Sequence, residues 1–143
     1  MIFVMNLRRK IILIILILLA YIPVLTWMIN RWFEENSYYS HGALIPLVSL
    51  FLIYEKKGKL NKIIRTSSPW GLRIFILGIF IYWLSALLNV YFLGAFSMLF
   101  IITGLILYFY GLEFLRALIF PISFLIFMIP LPLIFISFIS FNL

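Results

Sequence analysis

Long uncharged stretches alternate with short polar or basic segments along this chain. Residues 11–29 hold nineteen positions without a charge, which is about the length that crosses the hydrocarbon core of a bilayer. A shorter uncharged segment covers residues 41–54, and it reaches seventeen positions if it begins at Tyr38. Both segments predict membrane-spanning helices, and Pro23 predicts a kink in the first of them.

Three more apolar segments follow a central polar region. They predict spans over residues 74–90, 93–110 and 117–130. Pro69 suits the first turn of the third span, because its missing N–H is not needed there. The pattern therefore predicts an all-α, polytopic transmembrane bundle of about five spans. Residues 1–143 should form a single membrane domain with no soluble domain of any size.

The composition does not fit an ordinary soluble protein. Of the 143 residues, 66% are hydrophobic and 10% are charged, whereas soluble domains have roughly 25% charged residues. Only lipid could cover so much apolar surface without aggregation. The net charge of +7 does not indicate nucleic-acid binding, because the basic residues gather at the ends of the apolar segments.

The placement of the basic residues predicts the orientation in the membrane. Three precede the first span, six lie in the central polar region, one follows the fourth span, and the alternate loops carry only Arg31. Cytoplasmic loops collect Lys and Arg, so this ten-to-one bias predicts a cytoplasmic amino terminus and an outer face near His41 and Pro130. We expect a multi-pass protein of the cell membrane. The basic residues of the first two groups are Arg8, Arg9, Lys10, Lys56, Lys57, Lys59, Lys62, Arg65 and Arg73.

Few residues could carry chemistry. The sequence has no cysteine, which excludes disulfides, thiolate metal ligands and a thiol nucleophile from these residues. All four acidic residues lie at predicted span ends, whereas a transporter usually places ionisable groups near the middle of the bilayer. Glu113 and Arg116 are three positions apart and should anchor a helix end at the interface. We expect neither a cofactor nor a metal ion.

His41 is the only histidine and the sharpest local feature, because imidazole titrates near neutral pH and can act as acid, base or ligand. The competing interpretation is an interfacial histidine in an aromatic belt with Tyr38 and Tyr39. The residues alone favour that interpretation, since a lone histidine has no local partner for a metal site or triad. The glycines are irregularly spaced and form no GxxxG motif, so they indicate no specific helix crossing.

Two strings of residues resemble a known family. Residues 39–49 read Tyr-Ser-His-Gly-Ala-Leu-Ile-Pro-Leu-Val-Ser and precede a basic loop, as in the first signature of the exosortase/archaeosortase family of membrane cysteine transpeptidases. Residues 120–132 begin with Phe-Pro and end with Met-Ile-Pro-Leu-Pro, which is similar to a later segment of that family. The motif positions are Ser40, His41, Gly42, Pro46, Pro121, Pro130 and Pro132.

The resemblance implies cleavage of proteins that carry a C-terminal sorting signal, at the outer membrane face, with transfer to an acceptor through an acyl-enzyme. The family's cysteine and its accompanying arginine follow the Pro-Leu-Pro segment, and no cysteine exists here. We therefore expect this chain to be the amino-terminal part of such an enzyme, inactive alone, with His41 a weak catalytic candidate. The expected partners are membrane lipids and sorting-signal helices. The alternative is a non-enzymatic subunit or scaffold that binds transmembrane helices.

Overall fold

The computed structural model describes residues 6–35 and 37–143, apart from the side chains of residues 133–136, and the regular elements in these ranges are all helical. The predicted all-α class is confirmed. Two short 3₁₀ helices, Ser40–Ala43 and Leu125–Met128, adjoin α3 and α7. The α-helices are α1 (Leu7–Ala20), α2 (Ile22–Trp32), α3 (Leu44–Glu55), α4 (Lys57–Leu60), α5 (Pro69–Leu88), α6 (Tyr91–Tyr110), α7 (Leu112–Phe124) and α8 (Leu133–Phe141).

Two of the described helices, α5 and α6, are long and apolar enough to cross a membrane, and each has 20 residues. They correspond to the predicted third and fourth spans. α5 begins at Pro69, as predicted from the fit of proline to the first turn of a helix, so the helix starts before the apolar segment of residues 74–90. The bent pair of α1 and α2 gives a third candidate if it is one span. The predicted second and fifth spans correspond to the shorter helices α3 and α7, so the number five stays a prediction.

The predicted kink near Pro23 is a break between α1 and α2, whose axes differ by 57°. Pro23 lies in the first turn of α2, where it cannot donate to the carbonyl four residues earlier. Two tyrosines support the break. The Tyr82 hydroxyl donates to the carbonyl of Ala20, and the Tyr21 and Ser97 hydroxyls are 2.6 Å apart in the core. Side chains from α5 and α6 thus satisfy polar groups at the break between α1 and α2.

The antiparallel pair of α5 and α6 forms the central contact of the fold. On α5, Gly71, Gly78 and Ser85 recur every seven residues, and all three are buried. A Cβ atom added to Gly71 would lie 2.2 Å from the backbone nitrogen of Tyr108, and one added to Gly104 would lie 2.6 Å from that of Phe75. Only glycine allows backbones to approach this closely. The two helices therefore pack closely without a GxxxG motif. We call Gly71, Gly78 and Ser85, which are spaced by seven positions, the small-residue stripe.

Pro121 lies inside α7, and the backbone carbonyls of Ala117 and Pro121 both accept hydrogen bonds from side chains. Proline has no N–H to donate to the carbonyl four residues earlier, which is that of Ala117. The ammonium group of Lys56 donates to this oxygen at 2.8 Å, and the hydroxyl of Ser49 donates to the carbonyl of Pro121 at 2.9 Å. Lys56 therefore replaces the one helical hydrogen bond that Pro121 removes, and Ser49 joins α3 to α7 beside it. Lys56 therefore stabilises α7, in addition to being one of the basic residues that predict the orientation in the membrane.

Three segments that the sequence predicts on one side of the membrane meet at one end of the bundle. We call this end, around Lys10, Arg65 and Tyr110, the basic end. The Nζ atom of Lys10 and the guanidinium of Arg65 lie 5.6 Å and 5.0 Å from the centre of the Tyr110 ring. The backbone N–H of Thr66 donates to the carbonyl of Tyr110 at 3.2 Å. The beginning of α1, the loop before α5 and the end of α6 therefore meet at this end.

Candidate functional site where the two motifs meet

The first motif begins in a turn that hydrogen bonds hold in place. The Ser37 hydroxyl donates to the carbonyl of Arg31 at 2.5 Å and accepts from the backbone N–H of Tyr39 at 3.1 Å. The backbone N–H of Gly42 donates to the carbonyl of Tyr39 at 2.7 Å. This network shapes the 3₁₀ helix Ser40–Ala43, which leads directly into α3.

Gly42 is buried against the indole ring of Trp32. A Cβ atom at this position would lie 2.2 Å from the Nε1 atom of Trp32, so a larger residue would displace the ring. The Nε1–H of Trp32 donates to the carbonyl of Met128 at 2.8 Å, across 96 positions of sequence. Met128 is the last residue of the 3₁₀ helix Leu125–Met128, which lies within the second string. Trp32 therefore joins the glycine of the first motif to the Met-Ile-Pro segment of the second.

A second link joins the motifs deeper in the bundle. Ser49, the last residue of the first string, is 3% exposed and donates its hydroxyl to the carbonyl of Pro121, the second residue of the other string. Buried hydroxyls need such a partner, because an unpaired one costs about 1–3 kcal/mol. The two strings that carry the family resemblance thus form one unit, which we call the motif end of the bundle.

His41 lies on the rim of the motif end and is exposed. Its ring centre is 6.4 Å from that of Tyr39, with a tilt of 38° between the planes. Its ring makes no hydrogen bond to a described residue. This position combines a titratable group with access from outside the bundle, as an acid or base would need. The same position also suits a histidine that anchors the chain among aromatic residues at the membrane surface. The structure therefore assigns no reaction to His41.

The remaining motif residues, Ser40 and the four prolines, contribute to the local backbone structure. Ser40 is exposed and donates its hydroxyl to the carbonyl of Ser37 at 3.1 Å. Pro46 occupies the first turn of α3, where a missing N–H costs little. Pro121 and Pro130 are fully buried, whereas Pro132 is partly exposed just before α8. The prolines shape the second string and present no chemical group of their own.

Two residues of the motif end were not singled out as site residues from the sequence. Trp32 lies outside both strings, and Ser49 is only the last residue of the first string. A buried hydroxyl in an otherwise apolar segment was the available signal for Ser49. No local signal could have identified the indole donor of Trp32, because its acceptor is distant in sequence.

The other charged groups lie apart from the motif end or at its surface. Arg116 and Glu113 form the predicted ion pair, at 2.8 Å with both side chains 66% exposed, as expected of a helix-end anchor. Arg31 and Glu34 form a similar pair, also at 2.8 Å. Within the described ranges, no three histidine or acidic residues come together as metal ligands would.

Comparison with known proteins identifies the family. A family model described as transmembrane exosortase (Exosortase_EpsH) matches residues 27–143, a range that includes Trp32 and both motif strings. Neither the curated proteins nor the solved structures contain a significant match to the chain. The family match covers well over half of the sequence and contains every residue of the motif end. The chain therefore belongs to the transmembrane exosortase family.

Proposed function

We propose that this chain supplies the substrate-facing, amino-terminal part of a membrane transpeptidase that cleaves proteins at a C-terminal sorting signal and transfers them to an acceptor. One observation carries the proposal. The two family strings meet through the Trp32–Met128 and Ser49–Pro121 hydrogen bonds, with the imidazole of His41 on the rim. A membrane enzyme needs a rigid surface at one end of its bundle to position a scissile peptide.

The nucleophile has to come from outside these residues. Acyl transfer in this family uses a thiolate that attacks the scissile carbonyl, and the sequence contains no cysteine. We propose that a further polypeptide segment carrying the thiol, covalently continuous or separate, docks at the motif end. On this account residues 1–143 alone have no peptidase or transpeptidase activity.

We further propose five spans, with the basic end in the cytoplasm and the motif end at the outer face. The segment Ser40–Glu55 is helical throughout and corresponds to roughly 25 Å of helix, close to a hydrocarbon thickness of about 30 Å. α7 with its following 3₁₀ helix has a similar length. The clustering of Lys10 and Arg65 at the basic end favours a cytoplasmic location for it.

Photo-crosslinking in cells tests the proposed function. A photoreactive amino acid at Tyr38, which is 77% exposed beside the motif, should crosslink to a tagged sorting-signal protein made in the same cells. The matched control is the same amino acid at Ile64, which is 82% exposed near the basic end and should give no such product. Removal of the sorting signal should abolish the crosslink. Equal crosslinking from both positions, or from a protein without the signal, would contradict the proposal.

A non-enzymatic scaffold is the second candidate, and the absence of cysteine favours it. A scaffold would hold the sorting-signal helix at the same motif end without taking part in cleavage. The two functions differ in the fate of the crosslinked protein. Cells that also supply only the thiol-bearing segment of a family member, without its own motif strings, should accumulate shortened substrate if the chain contributes to the enzyme, and full-length substrate if it only binds helices.

A further inference from the structure

An apolar groove of about 340 Å³ lies between α1 and α6. Its walls are formed by aliphatic side chains, among them Leu13, Ile17, Ile102 and Leu105. Among the described elements, the backbone of α1 approaches only α2, so this helix stands away from the rest of the bundle. Walls of this kind favour contact with a hydrocarbon chain over contact with water.

One end of the groove carries positive charge. Lys10 lines the groove, and its Nζ atom lies 4.9 Å from the centre of the Phe109 ring and 5.6 Å from that of Tyr110. The guanidinium of Arg65 also lies 5.0 Å from the centre of the Tyr110 ring, but Arg65 lines a separate pocket with Lys57 and Phe114 and not this groove. The ion pairs of the described residues involve Arg31 and Arg116, and neither Lys10 nor Arg65 contacts a carboxylate there. Lys10 is therefore a cation of the groove wall that has no carboxylate partner among the described residues.

We propose that this groove binds one anionic phospholipid, with its phosphate at Lys10 and an acyl chain between α1 and α6. Charge complementarity selects the headgroup, because Lys and Arg form strong hydrogen bonds with phosphate oxygens. Basic pockets between transmembrane helices bind acidic lipid headgroups by this chemistry. The apolar walls select a lipid over a free phosphate. The bound lipid would fill the space that separates α1 from α6, and this role is independent of the function proposed for the motif end.

Native mass spectrometry of the detergent-solubilised chain tests the proposal. Phosphatidylglycerol should form a one-to-one adduct at concentrations where phosphatidylcholine with the same acyl chains does not. Replacing one cation, Lys10→Gln, should weaken phosphatidylglycerol binding about fivefold. The matched control Lys59→Gln makes the same charge change at an exposed residue that does not line the groove, and it should leave binding unchanged.

A second variant tests the acyl-chain part of the site. Ile14 lines the groove from α1 and is half-exposed, so Ile14→Trp should fill the groove while leaving Lys10 and the buried core in place. The adduct should then be lost while the chain remains monodisperse. Equal binding of the two lipids, equal effects of Lys10→Gln and Lys59→Gln, or full competition by glycerol phosphate without acyl chains would each overturn the proposal.

Discussion

Replacing Gly71 with leucine is expected to lower the free energy of unfolding by about 3 kcal/mol, the upper part of the usual range for overpacking. The first atom of any side chain at this position would lie 2.2 Å from the backbone nitrogen of Tyr108 and 2.6 Å from the carbonyl oxygen of Gly104. Backbone atoms cannot rotate away as a side chain can. α5 and α6 would therefore have to separate, and the small-residue stripe would lose its contact.

Helix content measured during titration from mild detergent into sodium dodecyl sulfate gives the free energy of unfolding. The matched control is Gly58→Leu in α4, because no atom lies within 4 Å of a Cβ atom at Gly58. This exposed substitution should leave the chain at least as stable, with a gain of up to about 1 kcal/mol, because leucine favours a helix more than glycine. If both variants unfold at the same detergent fraction as the unmodified chain, the close α5–α6 contact does not hold the fold together.

The second prediction concerns a full-length family member with the same Ser-His-Gly motif. Replacing the histidine that corresponds to His41 should reduce processing of a sorting-signal protein by roughly a hundredfold. The expectation rests on two features of the structure. His41 is exposed at the motif end, and its ring makes no hydrogen bond to the described residues. Such a group is free to exchange protons with a substrate but contributes little to packing, so His41→Ala should reduce processing more than membrane abundance.

A conservative variant separates proton transfer from hydrogen bonding. Glutamine keeps a donor and an acceptor but does not titrate, so His41→Gln should be as defective as His41→Ala if the imidazole transfers a proton. Normal processing by His41→Gln alone would assign a positioning role to His41. Normal processing by both variants would support the interfacial anchor that the sequence pattern favoured.

The sequence was sufficient to predict features that depend on local pattern. Uncharged segments predicted α5 and α6, Pro23 predicted the break between α1 and α2, and Pro69 predicted the start of α5. The Glu113–Arg116 pair also followed from helical spacing alone. Each of these features requires only the period of a helix or the missing N–H of proline, and neither depends on what lies across the bundle.

Features that depend on tertiary partners could not be predicted in the same way. The indole of Trp32 finds its acceptor at Met128, and Lys56 replaces a hydrogen bond that Pro121 removes from Ala117. Motif resemblance indicated that the two strings matter but not that they touch. The stripe of Gly71, Gly78 and Ser85 was visible in the sequence, yet its seven-residue period becomes meaningful only beside a second helix.

The proposed placement of the motif end at the outer face and of the basic end in the cytoplasm is tested most directly by cysteine accessibility in intact cells. The chain has no cysteine, so each variant carries a single reactive thiol. A membrane-impermeant maleimide should label Tyr38→Cys beside the motif without further treatment. It should label Asn61→Cys in the basic loop only after the membrane is permeabilised. Labelling of Asn61→Cys in intact cells, with protection of Tyr38→Cys, would place the motif end in the cytoplasm and contradict cleavage at the outer face.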